Sequence, residues 1–498
     1  MVRSLRRHCG YLLALVLASG PALYGAPEAK SNYERLIGFD PTRKSNSADF
    51  GIKTTRTNQV DFSDVIGSIK PMHGVGNAPI YRGNDWTGML HYLKEAGIPF
   101  SRLHDTAGAL GGGMYVDIPN LFPNFEADEN DPKSYRFGHT DVLMKGLAEN
   151  GVEAIFRLGV SLEGWVGTGT GIPAERTYPP KDYRKWARIC EHVIRHYTEG
   201  WNNGFKLKAR YWELWNEPET AYPEKGDDMM WSASFEEYTR FYGIVMPYLK
   251  SKFPHLKMGG YGAIGFYSGI CKDGGAPEST DKKHWVNFAH YFMREAKKGG
   301  WPLDFYSFHS YADSKGLCRQ IRYADEMLTD YGFTRNRTER IVDEWLPCHE
   351  WEDLDTGRQA AAVASAMLGM QHGPCDIACV YHGGCHVSKY SVLFNPGTRR
   401  PRKAYWSFYA FNELYRLGKQ VRTPRTPDYV NAVAATDGRG NAKIMIANDS
   451  KKSWRFDWDL GDYRIDSALL IDELTNLGLR SFKNEVGPSE VWLLNLVR

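Results

Sequence analysis

Two glutamates in the 498-residue chain stand out for what surrounds them. Glu217 lies in Tyr211-Trp212-Glu213-Leu214-Trp215-Asn216-Glu217-Pro218-Glu219. The tryptophans and the proline place it at the end of an apolar segment, partly out of water. Such a setting raises a carboxyl pKa and keeps a proton available for a leaving group. Asn216 beside it can hold a hydroxyl. Glu344 closes a second segment, Arg340-Ile341-Val342-Asp343-Glu344-Trp345. One carboxyl to donate a proton and one to attack is a minimal set for covalent acid/base catalysis. Asp343 and Glu344 point to opposite faces of a regular strand, so only one is expected to face the site. Glu213 shares parity with Glu217 about 13 Å deeper and reads as structural. Arg102 and His104 share parity in Ser101-Arg102-Leu103-His104-Asp105, and Arg102 is placed to orient a carboxylate. Trp165, Trp215, Trp345 and Trp351 are candidate stacking platforms, with core packing the alternative for each.

These residues need a scaffold, and the chain alternates strand-like and helix-like segments from about 66 to 420. The strands read as Ile66–Gly76, Pro99–His104, Val152–Val160, Ala209–Trp215, Lys257–Tyr261, Asp304–His309, Arg340–Glu344 and Asp376–Tyr381. Each precedes a segment with helical spacing, such as Tyr183–Tyr197, with Trp186, Ile189, Val193 and Tyr197 on one face. Thr140 reads as a helix N-cap. Eight alternating units predict an α/β fold: a parallel sheet closed into a (β/α)8 TIM barrel, with sites at the C-terminal strand ends. Glu217 and Glu344 fall at the ends of the fourth and seventh strands. After about Arg422, short strands between turns predict an accessory β-sandwich-like domain. The expected division is 1–25 leader, 26–65 N-terminal segment adding strands to the β domain, 66–422 barrel and 423–498 β domain.

In this pattern the chain resembles the clan A glycoside hydrolases, retaining barrel enzymes with an acid/base glutamate on strand four and a nucleophilic glutamate on strand seven. Within the clan it is most similar to family 39, which includes β-xylosidases and α-L-iduronidase. The resemblance rests on Ser101 to Asp105, Tyr211 to Pro218, Ser307-Phe308-His309-Ser310-Tyr311 and Glu344-Trp345. It implies hydrolysis of a terminal sugar from a carbohydrate substrate by double displacement, with Glu217 as acid/base and Glu344 as nucleophile. It also implies that Asn216 binds the 2-hydroxyl and that His104, His309 and Tyr311 line the same subsite, with no cofactor. Family members often carry a Trp at the end of strand eight. Cys379-Val380-Tyr381-His382-Gly383-Gly384 has none, so Tyr381 or His382 stands in its place. Arg102 and Trp345 complete the expected substrate-binding set.

Composition narrows the alternatives. Charged residues are 24% and the formal net charge is +3, too balanced to predict a nucleic-acid partner. No apolar run reaches the ~18 residues of a membrane span. Arg3, Arg6 and Arg7 followed by apolar Tyr11–Ala18 read as a secretory signal, predicting a secreted or periplasmic protein. Seven cysteines come after it, and export favours disulfides. Cys271 with Cys318 and Cys348 with Cys385 fall after adjacent strands, so two loop bridges are expected. Cys375, Cys379 and Cys385 near His372, His382 and His386 lack the spacing of a zinc ribbon, so no metal is expected there. Two rival readings are a non-catalytic sugar-binding barrel, which predicts loss of one carboxylate, and a metal-dependent barrel hydrolase. The latter wants a His-x-His pair on strand one, where only His73 precedes Gly74.

Overall fold

In the computed structural model, the residues described are 58–80, 88–104, 115–160, 177–222, 227–228, 230–266 and 280–498. The leader, Trp165 and Cys271 lie outside them. Eight short strands, Gly74–Gly76, Phe100–Leu103, Glu153–Leu158, Tyr211–Leu214, Lys257–Gly259, Phe305–Ser310, Glu339–Trp345 and Ile377–Val380, pair in that order and close eight onto one. The pairs are parallel, and strands two, three, four and six are buried throughout. Burial on both faces leaves these strands no solvent-facing side, so the polar residues they carry, such as Arg102, Glu213 and Ser307, are buried with the rest.

A helix follows every strand: Leu90–Glu95, Gly138–Glu149, Tyr183–Thr198, Phe235–Lys252, Thr280–Gly299, Ser314–Asp330, Gly357–His372 and Lys403–Leu417. Asp182, Ser234, Asp313 and Thr356 accept first-turn backbone N–H groups and so set four of the starts. Thr140 is not a cap. Its helix begins two residues earlier, and its hydroxyl donates to Tyr115 O at 2.5 Å.

The barrel centre is layered. Phe100, Ile155, Tyr211, Phe305, Ile341, Ile377 and Cys379 form an apolar cluster. Two residues further along four of these strands stand Arg102, Glu213, Ser307 and Asp343, all fully buried. The strand period of two thus carries a polar layer above an apolar one.

The segment expected as the first strand divides. Val65–Ser68 leaves the barrel and pairs antiparallel with Lys419–Val421, so only Gly74–Gly76 is barrel strand. Val65–Ser68 edges a seven-stranded antiparallel sheet, followed in order by 419–421, 430–436, 442–448, 490–497, 464–471 and 476–479. One face rests on the helix after strand seven, where Asn431 Nδ2 donates to Ser365 Oγ at 2.8 Å. The other buries Ala432, Ile444 and Leu494 against Val60, Phe62, Phe456 and Trp458. No helix among the described residues is long and apolar enough to cross a membrane.

The two expected disulfides do not form. Cys318, Cys348 and Cys385 are buried free thiols. Cys318 sits within the helix Ser314–Asp330, not on the loop before it, and its Sγ faces Gly369 of the next helix. Cys385 Sγ instead lies 3.9 Å from Asn395 O.

Candidate active site

Strand two brings Arg102 to the middle of the polar layer, and four residues converge on it. Its Nη1 donates to Glu344 Oε1 at 2.7 Å and its Nη2 to Asn216 Oδ1 at 2.8 Å. Its Nε donates to Glu213 Oε2 at 2.7 Å and lies 2.8 Å from Asp343 Oδ2. A guanidinium presents a rigid planar fork, so one side chain can hold several carboxylates in set directions. Burial disfavours its charge, but Asp343, Glu213 and Glu344 outweigh that and hold Arg102 well above its ordinary pKa. With Oδ1 of Asn216 taken, the Nδ2 of that amide is its remaining donor.

Asp343 and Glu344 both reach this guanidinium, against the expectation from strand parity. The register explains it: Val342 pairs with Phe308, but Glu344 pairs with His309. The extra residue is a β-bulge, which breaks the alternation and re-aims the side chains beyond it. Asp343 stays in the buried layer, Glu344 rises to the mouth, and Trp345 turns outward. The Trp345 ring lies parallel to Phe408 of the last barrel helix at 6.4 Å, so the structure does not bring it to the carboxylates.

Glu217 and Glu344 come together around His309. His309 Nδ1 is 2.6 Å from Glu217 Oε1 and 3.6 Å from Glu344 Oε2. One oxygen of each glutamate and a nitrogen of His309 lie within 4.8 Å of one another. Burial lowers the His309 pKa to about 4, so the imidazole is neutral at pH 7. Tyr311 donates to Glu344 Oε2 at 2.9 Å. Tyr381 meets the Tyr311 ring edge-on at 6.3 Å. His104, buried at the end of strand two, is held by its backbone: its N–H donates to Asn77 and its carbonyl accepts from Arg157 at 2.7 Å. Trp215 is core, its Nε1 donating to Met230 O at 2.7 Å, whereas Trp351 is 55% exposed.

The turn carrying Glu217 is strained. Trp215 and Glu217 both adopt left-handed backbone angles, φ +72 and +44, a conformation that costs an L-residue roughly 1–2 kcal/mol. The Glu217 N–H donates to Gly262 O at 2.9 Å. Gly262 has φ +62, and a Cβ there would lie 2.7 Å from Arg102 Nη2. Only glycine fits behind the cluster.

Residues to which the sequence assigns no role also meet here. Ser307 Oγ accepts the Gly262 N–H at 2.9 Å and donates to Glu213 Oε1. His349 and Tyr390 stack at 5.7 Å, and both contact the Tyr311 ring. They come from the loops after strands seven and eight, where no periodicity marks which side chains turn inward.

A closed (β/α)8 barrel with two carboxylates facing each other at its mouth, on strands four and seven, is the architecture of a barrel glycoside hydrolase. The chain matches the family described as glycosyl hydrolases family 39 over residues 73–357, and it belongs to that family. A β-xylosidase from Geobacillus stearothermophilus is 26% identical over 369 residues, covering 65% of this chain and 66% of that protein, just under two thirds of its length. Among solved structures, a glucosidase from Croceicoccus marinus superposes with a TM-score of 0.66 at 18% identity, covering 88% of this chain and 98% of the other. A monomeric β-xylosidase from Caulobacter crescentus gives 0.60 at 14% identity, covering 88% and 99%. These two likenesses show the shared fold.

Proposed function

We propose that this protein is a retaining glycosidase that releases a terminal sugar by double displacement. The observation that carries this reading is the distance between Glu217 and Glu344, whose nearest ligand oxygens lie within 4.8 Å. Retaining enzymes hold their carboxyl groups about 5–5.5 Å apart; inverting ones need about 6.5–9.5 Å to admit a water. Glu344 attacks the anomeric carbon. Arg102 and Tyr311, one on each of its oxygens, orient the attacking carboxylate. Glu217 gives a proton to the leaving oxygen, then takes one from the water that releases the sugar. Neutral His309 with its proton on Nδ1 can donate to Glu217 Oε1 whether that carboxyl is acid or carboxylate, which leaves Oε2 to carry the proton for the leaving oxygen. Both carboxylates are present, which speaks against a purely sugar-binding barrel.

The name of the Geobacillus relative makes β-xylosides the first substrates to try, beside aryl galactosides, arabinosides and uronides. The roles are separated by azide. Glu344→Ala with azide should give a glycosyl azide of inverted configuration, from one displacement. Glu217→Ala should still form the glycosyl–enzyme from a substrate with a good leaving group, and azide should release a product of retained configuration. Exchanged stereochemistry would reverse the two roles; wild-type turnover in both variants would place the site elsewhere. Glu217, His309 and Glu344 also have spacing suited to a cation. Activity lost to a chelator and restored by a divalent ion would favour that second reading.

A further inference from the structure

The proposed reaction leaves one buried carboxyl near Glu217 without a role. Glu219 is 1% exposed and lies in the 3-10 turn Pro218–Thr220. Its Oε1 accepts the backbone N–H of Ile264 at 2.7 Å, reaching across to the segment after strand five. Its Oε2 is buried with no hydrogen-bond partner among the described residues. A buried polar atom without a partner costs on the order of 1–3 kcal/mol, so this side chain is not there for stability alone.

The bond to Ile264 completes a circuit around Glu217. The Glu217 N–H donates to Gly262 O, two residues before Ile264. The Ala263 N–H donates to Ser307 O at 3.1 Å, and the His309 N–H donates to Ala263 O at 2.7 Å. His309 then meets the Glu217 carboxyl at 2.6 Å. Residues 262–264 thus set both the backbone of Glu217 and the imidazole that holds its side chain. Glu219 is the side-chain tie between those residues and the turn, whose left-handed residue at 217 needs external restraint. The titratable groups facing Glu219 are Glu217, Tyr238, Tyr261 and Tyr306. Burial, reinforced by the charge of Glu217, holds its carboxyl well above the usual range.

We propose that Glu219 is a positioning residue for Glu217, clipping the turn after strand four to residues 262–264 so that the Glu217 carboxyl is held where a leaving oxygen departs. The proposal rests on Glu217 being the acid/base. A displaced proton donor hurts only substrates whose leaving group needs a proton. The loss should therefore depend on the leaving group, which general weakening of the fold would not produce.

The test compares kcat/KM, which reports the first displacement, on a 2,4-dinitrophenyl glycoside and an alkyl glycoside of the same sugar. Glu219→Leu keeps the bulk and removes the acceptor. It should lose ten- to hundredfold on the alkyl glycoside and less than threefold on the dinitrophenyl glycoside. Glu219→Gln keeps an acceptor for Ile264 and should stay within a few-fold of wild type on both. If Glu219→Leu does not fold, Glu219→Asp, which withdraws the carboxyl by one methylene, carries the same expectation. Equal losses on the two substrates, or a Gln variant as impaired as the disrupting one, would overturn the proposal. Glu217→Ala is run on the same pair. If it shows no leaving-group split, the acid/base reading itself fails; if it does and the Glu219 variant does not, only the clip fails.

Discussion

Arg102 Nη1 lies 2.7 Å from Glu344 Oε1, although 242 residues separate them. The same guanidinium bonds Glu213 and Asn216 and contacts Asp343, so the second barrel strand organises the ends of the fourth and seventh.

Arg102→Lys keeps the charge but not the fork. A lysine ammonium cannot reach four acceptors in one plane. We expect kcat/KM to fall at least a hundredfold. We also expect a clear drop in Tm, because breaking a buried charge cluster costs roughly 3–5 kcal/mol. Near-wild-type kcat/KM would mean that the fork is dispensable for orienting Glu344.

Tyr311→Phe removes only the 2.9 Å hydrogen bond to Glu344 Oε2. A hydrogen bond to a charged group is worth roughly 1.5–3 kcal/mol, so kcat/KM should fall roughly ten- to hundredfold. The ring keeps its contacts with Tyr381, Tyr390 and His349, so Tm should change little. Steady-state kinetics and a thermal melt check both halves.

Asp343 carries a pH signature. Burial, outweighing Arg102, holds its carboxyl well above the usual range; Glu213 and Glu344 push the same way. His309, Tyr306 and Cys379 also face it. For a raised carboxyl, the native state binds the proton more tightly than the unfolded chain does. Its contribution to stability is full below about 4, the ordinary Asp value, and is lost as pH rises through the native value. Asp343→Asn removes that dependence. The Tm of the variant relative to wild type should therefore improve as pH rises above about 4. A flat or opposite trend would contradict a raised native pKa.

The six described cysteines are all buried free thiols. Dithiothreitol should therefore leave the Tm unchanged, and the denatured, unreduced protein should alkylate at Cys318, Cys348 and Cys385. A mass spectrum showing either expected bridge intact would contradict the structure.

Much of the architecture was legible in the residue order because it is local. Alternating strand-like and helix-like segments predict the eight units, and the helix read at Tyr183–Tyr197 forms as Tyr183–Thr198. The apolar setting of Glu217 and the parity of Arg102 with His104 likewise depend only on neighbours in sequence. Features that depend on pairing between distant strands were not legible. The register shift between strands six and seven turns both Asp343 and Glu344 inward and sends Trp345 out to Phe408. Parity within one strand cannot register an extra residue that exists only relative to its partner. The departure of Val65–Ser68 to the other sheet obeys the same rule. The sequence by itself determined which side chains were available and on what local period; the tertiary structure alone decided which of them meet, because hydrogen-bonded register and burial are set between segments.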